Sequence, residues 1–227
     1  MHCHTTWSDG RASVEEMARA AIERGYDYIA ICDHTPAVGA VQGLTADDVR
    51  RQGEEIAAAN DLLAPFRVLR GIECDILADG RLDLPDDVLA ELDWVQASVH
   101  GGQRMPRREM TKRVEEALRN PHVSCLSHPT GRLINRRPEN ALDLERVFEV
   151  ALEEGIALEV NGLPDRLDLR GEHVRDALRA GVPIVCSTDA HSVRGLGNME
   201  LSVHTARRGW ATPADVVNTR TRENLRR

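Results

Sequence analysis

The sequence predicts an α/β fold in which parallel strands, each followed by a helix, close into a barrel. Three observations carry that expectation. One local pattern recurs along the chain: an amphipathic helix, a break, a short apolar strand, and polar residues at the strand's end. The strand segments are continuous apolar runs, which suits strands covered on both faces. With the opening residues counted as the stub of a first strand there are about seven such units, which favours a closed barrel over an open sheet. The glycine fingerprints of the Rossmann and P-loop folds are missing.

The first helix is announced by Ser13 and Glu16, a capping box, with Val14, Met17, Ala18, Ala21 and Ile22 forming an apolar stripe behind it. Gly25 follows its last turn, and the run Tyr28 to Cys32 ends in Asp33 and His34. Thr45 caps a second helix, ahead of the strand Val68 to Cys74. Asp79-Gly80 then marks a small hairpin between Ile76 and Leu84. Pro85 and Pro138 sit near the starts of further helices. Strands are expected at Trp94 to Val99, Val123 to Leu126, Ile156 to Val160 and Pro183 to Cys186. No linker-like segment divides the chain, so residues 1–227 read as a single domain.

Composition narrows the function classes. The chain is 41% hydrophobic but only 3% aromatic, so its core must rest on Leu, Val, Ile and Ala. No apolar run approaches the roughly 20 residues of a membrane span, and no signal-peptide segment opens the chain, which reads as cytoplasmic. With 29 basic against 37 acidic residues, the net charge of −8 argues against a general nucleic-acid coat. The five cysteines are scattered with no CxxC pair, so they read as small buried residues near strand ends rather than disulfides or a zinc ribbon.

The polar strand ends carry the chemistry. His2 and His4 lie two apart, so on an extended segment both imidazoles project to one face. Asp9 follows in a Ser8-Asp9-Gly10 turn. His34, Glu73, His100 and His128 come at successive strand ends, and Asp189 and His191, again two apart, close the last strand. Six of the nine histidines thus occupy strand ends with three acids beside them. In a parallel barrel those ends meet at one face. Six imidazoles and three carboxylates brought together need compensating cations, and neutral imidazole with carboxylate is a donor set for borderline divalent metals. Asp33, beside His34, either orients a ligand imidazole or serves a turn. Arg104, Arg107 and Arg108 after His100, and Arg132 after His128, are candidates for substrate phosphate, as is Asn161 for substrate contact.

At these positions the sequence resembles the polymerase and histidinol phosphatase (PHP) superfamily. The resemblance rests on His2-Cys3-His4-Thr5-Thr6-Trp7-Ser8-Asp9-Gly10, Cys32-Asp33-His34, Gly71-Ile72-Glu73, Ser98-Val99-His100, Ser127-His128-Pro129 and Ser187-Thr188-Asp189-Ala190-His191-Ser192, in order along nearly the whole chain. Glu159-Val160-Asn161-Gly162, Arg166-Leu167-Asp168-Leu169 and Ala206-Arg207-Arg208-Gly209-Trp210 make it most like the PHP domain of bacterial family X DNA polymerases. The resemblance implies a distorted (βα)7, TIM-like barrel with three divalent ions, zinc, manganese or iron. It implies that His2, His4, Glu73 and Asp189 bind one ion, that Glu73 bridges to a second held by His100 and His128, and that Asp9, His34 and His191 hold the third. Family members enter the His2–His4 segment through a short strand, and Met1 stands where that strand's last residue would be, so the first strand is expected to be truncated.

The resemblance further implies a metal-dependent phosphoesterase in which Glu73, Asp189 and His191 act through a metal-bound water. Phosphate esters are the expected substrates, with single-stranded DNA 3′ ends and small phosphomonoesters such as histidinol phosphate as the competing subclasses. The alternative is a metal-stabilised docking module for a polymerase. A complete set of nine ligand positions argues against it, since a scaffold has no need of them all. The segment from Arg104 to Arg113 is the expected rail for a nucleic-acid backbone.

Overall fold

The computed structural model of the chain describes residues 1–225. Six strands, β1 (Tyr28–Ile31), β2 (Arg67–Asp75), β3 (Trp94–Ser98), β4 (Cys125–Leu126), β5 (Ala157–Asn161) and β6 (Ile184–Ser187), form one sheet in the order of their sequence. Every pairing is parallel. The connecting helices are α1 (Val14–Glu23), α2 (Ala46–Leu62), α3 (Asp86–Leu89), α4 (Arg107–Leu118), α5 (Leu144–Glu154), α6 (Gly171–Arg179) and α7 (Met199–Arg208). Among the described residues no helix is long and apolar enough to cross a membrane.

The sheet curls on itself, as its interior layers show. Ala30, Leu69, Trp94, Cys125, Ala157 and Val185, one from each strand, meet in a single apolar cluster with Met1, Val217 and Leu225. Because side chains alternate along a strand, the residues two positions on form the next layer. There Gln96, Ser127, Glu159 and Ser187 are hydrogen-bonded to one another. Two positions further come Glu73, Asn161 and Asp189. The interior therefore runs from apolar floor through a polar middle to the ligand face. Gly71 keeps β2 close to its neighbours in this middle layer: a Cβ there would lie 2.6 Å from Ile31 O and 2.8 Å from Cys32 Sγ.

In place of a first strand, the opening segment makes single-residue parallel bridges from Cys3 to Ile31 on one side and to Ala190 on the other. His4 N–H donates to Ala190 O (2.8 Å) and Cys32 N–H to Cys3 O (2.8 Å). Several expected details hold. Ser13 and Thr45 both make reciprocal capping boxes, the latter with Asp48. The hairpin after β2 is present, with Ile76 bridged to Leu82 and Leu77 N–H donating to Arg81 O. All five cysteines are buried free thiols.

Others differ. Pro138 does not open a helix: α5 begins at Leu144 behind Asp143, and the intervening chain is tied down by Leu133 and Asn140 N–H groups donating to Arg137 O and Thr130 O. Ile22, expected on the buried stripe of α1, is 41% exposed because it stands at the helix's last turn. The strand expected from Val123 to Leu126 is regular only at Cys125–Leu126, although Ser124 N–H still donates to Val95 O and Ser124 O accepts from Ala157 N–H.

Candidate metal centre

The local folding of each ligand follows from the strand it ends. Cys3 packs outward among α1 residues such as Val14 and Met17, so alternation turns its neighbours His2 and His4 inward, both fully buried. Asp9 is carried on a tight turn in which Ser8 and Gly10 N–H groups donate to Thr5 O. Asp33 fixes that turn, accepting from Thr5 N, Thr5 Oγ1, Ser8 Oγ and Gln52 Nε2 at 2.5–2.8 Å. Of the two readings of Asp33, the turn role is the one seen. His34 lies just past β1 and bridges Glu73 of β2. His128 and Asp189 follow β4 and β6 with φ of 24° and 49°, left-handed conformations uncommon for non-glycine residues and frequent at functional sites.

All nine expected ligand side chains converge. Glu73 lies at the centre with its oxygens turned to different partners. Oε2 faces His34 Nδ1 (3.0 Å), His2 Nε2 (3.4 Å) and His4 Nε2 (3.7 Å). Oε1 faces His128 Nε2 (2.8 Å) and His100 Nε2 (3.5 Å). Asp189 Oδ1 reaches His4 Nε2 at 3.1 Å and His2 Nε2 at 3.7 Å. Asp9 meets His191 Nε2 at 3.2 Å through Oδ2, and His34 Nε2 at 3.7 Å through Oδ1. The His4 and His191 rings stack 4.1 Å apart.

Three groups present ligand atoms within 4.8 Å of one another: His4, Asp9, His34 and His191; His2, His4 and Asp189; and His34, Glu73 and His100. His4 and His34 each fall in two groups, so the side chains form one continuous cluster rather than three separate ones. The donor set fits divalent ions on a further count. Among the described residues, the buried Nδ1 atoms of His4 and His128 have no hydrogen-bond partner, and His34 Nδ1 meets only the Glu73 carboxylate, outside hydrogen-bond geometry.

Electrostatics bind the cluster together. Burial opposes the charge on His2, yet Glu73, Glu159 and Asp189 hold its pKa well above the usual histidine value. Burial also opposes charge on His191, and Asp9 and Asp189 raise it to about 9. His4 goes the other way, to about 3, through burial and neighbouring histidines. Glu73 and Asp189 are held well below the carboxylate range against their burial, by His2 foremost.

Other expected contacts are redirected. Asn161 is fully buried and its amide donates to Asp189 Oδ2 (2.9 Å) and Glu159 Oε2 (3.2 Å), so it orients a ligand carboxylate instead of facing substrate. Arg132 spends its guanidinium on the carbonyls of Arg166 and Leu167 (2.8 and 2.6 Å), and so braces the loop after β5. Arg107 pairs with Asp143 at 3.2 Å, while Arg108 is exposed on the first turn of α4. Arg113, counted in the basic rail, is buried and donates to the carbonyls of Ile76, Leu77 and Gly101.

Three residues escaped the sequence reading as parts of the site. Glu159 lies 2.7 Å from His2 Nδ1 and accepts from His128 N–H and from the hydroxyls of Ser127 and Ser187. A carboxylate on Nδ1 orients the His2 ring so that Nε2 faces the cluster, where it would be available to a metal. Asp75 does the same for His100 through Nδ1 at 3.0 Å. Arg166 brings Nε to 3.5 Å from Asp189 Oδ2, and its buried Nη1 has no partner among the described residues. A carboxylate inside the apolar run Ala157 to Val160, and an acid two positions beyond Glu73 on the same strand, were the available signals.

A curled parallel sheet whose strand ends gather histidines and carboxylates in this order defines a PHP-type domain. Residues 1–162 match the family model for the PHP domain, and the chain belongs to that family. It is 46% identical over 225 residues to the DNA polymerase/3′-5′ exonuclease PolX of Bacillus subtilis, covering 99% of this chain but 40% of that protein's length. A probable phosphatase of Acetivibrio thermocellus is 32% identical over 200 residues, covering 84% of this chain and 78% of that protein. The fold is also that of a histidinol phosphate phosphatase from Lactococcus lactis, solved with zinc, L-histidinol and phosphate, with a TM-score of 0.62 at 16% identity over 91% of each chain.

Proposed function

We propose that this PHP domain is a metal-dependent phosphoesterase working through a cluster of three divalent ions. The observation that carries the reading is Glu73, whose Oε2 faces His2, His4 and His34 while Oε1 faces His100 and His128, the disposition of a carboxylate shared between two ions. His2, His4 and Asp189 complete one position, His100 and His128 the second, and Asp9, His34 and His191 the third. A barrel of seven units, with the opening segment as its shortened first strand, is part of the same reading. Divalent ions held by these residues would lower the pKa of a water and polarise phosphoryl oxygens.

The chain's own residues do the rest. Glu159, Asp75 and Asn161 hold His2, His100 and Asp189 in register. The Asp9–His191 pair is the more exposed edge, with side chains 26% and 34% accessible, and so stands nearest to bulk water and to an arriving ester. Arg166, with an uncommitted Nη1, replaces Arg132 as the group suited to a phosphoryl oxygen. Burial at 15% exposure leaves it short reach, so a phosphate has to come down to the metal level to meet it.

The substrate reading is phosphate esters, with single-stranded DNA 3′ ends alongside simple phosphomonoesters and manganese the better activator. Likeness to a polymerase/exonuclease and to probable phosphatases supports both arms. Metal analysis of the purified protein, followed by a panel of aryl phosphate, histidinol phosphate and 3′-labelled oligonucleotide with zinc, manganese or iron, tests it. Hydrolysis that appears with metal and vanishes with chelator is the expected result. Full metal occupancy with no turnover on any member would favour the docking-module reading. Neutralising Arg107 and Arg108 together should slow the oligonucleotide reaction and leave the aryl phosphate unchanged; equal losses would remove that segment as a DNA rail.

A further inference from the structure

Outside the candidate metal cluster, one exposed side chain is held at a cost in backbone strain, and its ring contact is with an arginine. Trp210 follows the end of α7 and is 73% exposed, the most exposed large apolar side chain among the described residues. Its φ is +67°, in the left-handed region where a helix end normally places glycine. Glycine is next door but is taken: a Cβ on Gly209 would lie 2.5 Å from Val174 Cγ1 and 2.8 Å from Gly171 O, so Gly209 is needed where α7 touches α6. The left-handed position therefore falls to a tryptophan, which pays backbone strain to hold an indole in solvent.

The surroundings of that ring are cationic. The Arg175 guanidinium lies 5.8 Å from the ring centroid. His204, Arg207 and Arg208 are exposed on α7 at i, i+3 and i+4, one face of the helix leading to Trp210. Among the described residues, Arg175, Arg207 and Arg208 meet no carboxylate within salt-bridge distance. Of the acids on the same elements, Glu172 pairs with Arg170 (3.5 Å), Asp176 with Arg179 (3.9 Å) and Asp215 accepts from Thr212 (2.7 Å), while Glu200 lies in the first turn of α7, at the end of the helix away from Trp210. In a chain of net charge −8, one arginine over an exposed indole and two more on the last helical turn before it are a local concentration of positive charge.

We propose that Trp210, Arg175, Arg207 and Arg208 form a binding surface for single-stranded nucleic acid, separate from the metal cluster. A flat ring takes an unpaired base by stacking, and arginines spaced along a helix face take successive phosphates. Duplex DNA offers no free base face to the indole, and an acidic peptide offers charge without a ring, so the combination selects a single strand. The surface gives a 3′-processing site a second hold on a strand, but its existence does not depend on the chain being a hydrolase.

The test is a binding titration in chelator, where no hydrolysis can occur, with an oligo(dT) of about ten nucleotides and tryptophan emission as readout. Trp94 is buried and Trp7 is half-buried near the candidate metal site, so the quenching assigned to Trp210 is the part that Trp210→Ala removes. Quenching is expected, with affinity falling steeply as salt rises. Trp210→Ala should weaken binding roughly tenfold, within the range for losing one base stack, while Trp210→Phe retains most of it. Arg207→Ala with Arg208→Ala should flatten the salt dependence by about two phosphate contacts. Hydrolysis of a small aryl phosphate should be unchanged in all three variants. Unchanged affinity in Trp210→Ala, absent quenching, or equal binding of a poly-glutamate peptide of the same charge would each overturn the proposal, the last in favour of an acidic protein partner.

Discussion

Glu73 and Glu159 separate two jobs that a carboxylate can do at such a centre. Removing Glu73 takes away the oxygens shared by five histidines, so Glu73→Ala should retain less than a tenth of wild-type kcat while the far-ultraviolet spectrum is unchanged; a tenfold loss is only about 1.4 kcal/mol of barrier. Glu159 lies one layer below and holds His2 Nδ1 at 2.7 Å. Glu159→Gln keeps the shape but offers the ring a neutral partner, and should cost roughly 10–100-fold in metal affinity, read by chelator competition. At this scale the candidate ligand positions were legible because most follow a strand, where polar residues interrupt an apolar run, and Asp9 because its turn comes directly after the His2–His4 pair. Glu159 was not, because it lies inside such a run, and only the curl of the sheet makes its face an interior one. Asn161 and Arg132 were legible as polar residues near the site but not in their tasks, which depend on where Asp189 and the carbonyls after Arg166 come to lie.

Among the connecting elements, the loop from Gly162 to Arg170 is held from two sides. Arg132 grips its carbonyls, and Asp168, fully buried, accepts from Thr130 N–H at 3.1 and 3.2 Å. Burial raises the Asp168 pKa from 3.8 to about 6 despite those bonds and the nearby arginines. A carboxyl whose folded-state pKa is raised binds its proton more tightly when folded. Its contribution to stability is complete below about pH 3.8 and is lost as pH rises through about 6. Asp168→Asn has no such proton to lose, so its melting temperature relative to wild type should rise between pH 4 and pH 7 in metal-free protein. Each kcal/mol recovered is worth roughly 2–4 °C at this size; a constant difference across that range would show that Asp168 keeps an ordinary pKa. Element positions were well marked in the sequence where a cap box or a Gly after the last turn stood, as at α1, α2 and Gly155 after α5. They were misread at Pro138, because a proline suits an irregular, carbonyl-anchored segment as well as a first helical turn.

For the molecule as a whole, the parallel order of strands followed from the repeat of helix, break and apolar run, and the six-stranded sheet bears it out. The pairing of its two outer strands through Cys3 alone did not follow, since a single bridge leaves no periodicity to read. Stripping metal from the protein should lower its melting temperature and make it depend on added ion concentration, because an ion that binds only the folded form stabilises it by RT ln(1 + [L]/Kd). An unchanged transition in excess chelator would deny the cluster any share in stability.

The bridge at Cys3 gives that dependence an address. The peptide that stitches Ile31 to Ala190 is flanked by His2 and His4, so the same short stretch is both clasp and candidate ligand. A few backbone hydrogen bonds guard the join, which favours local opening there. Amide deuterium uptake at His4, Cys32 and Ala190 should therefore follow ion concentration steeply, while Val95 and Leu158, paired deep in the sheet, stay indifferent to it.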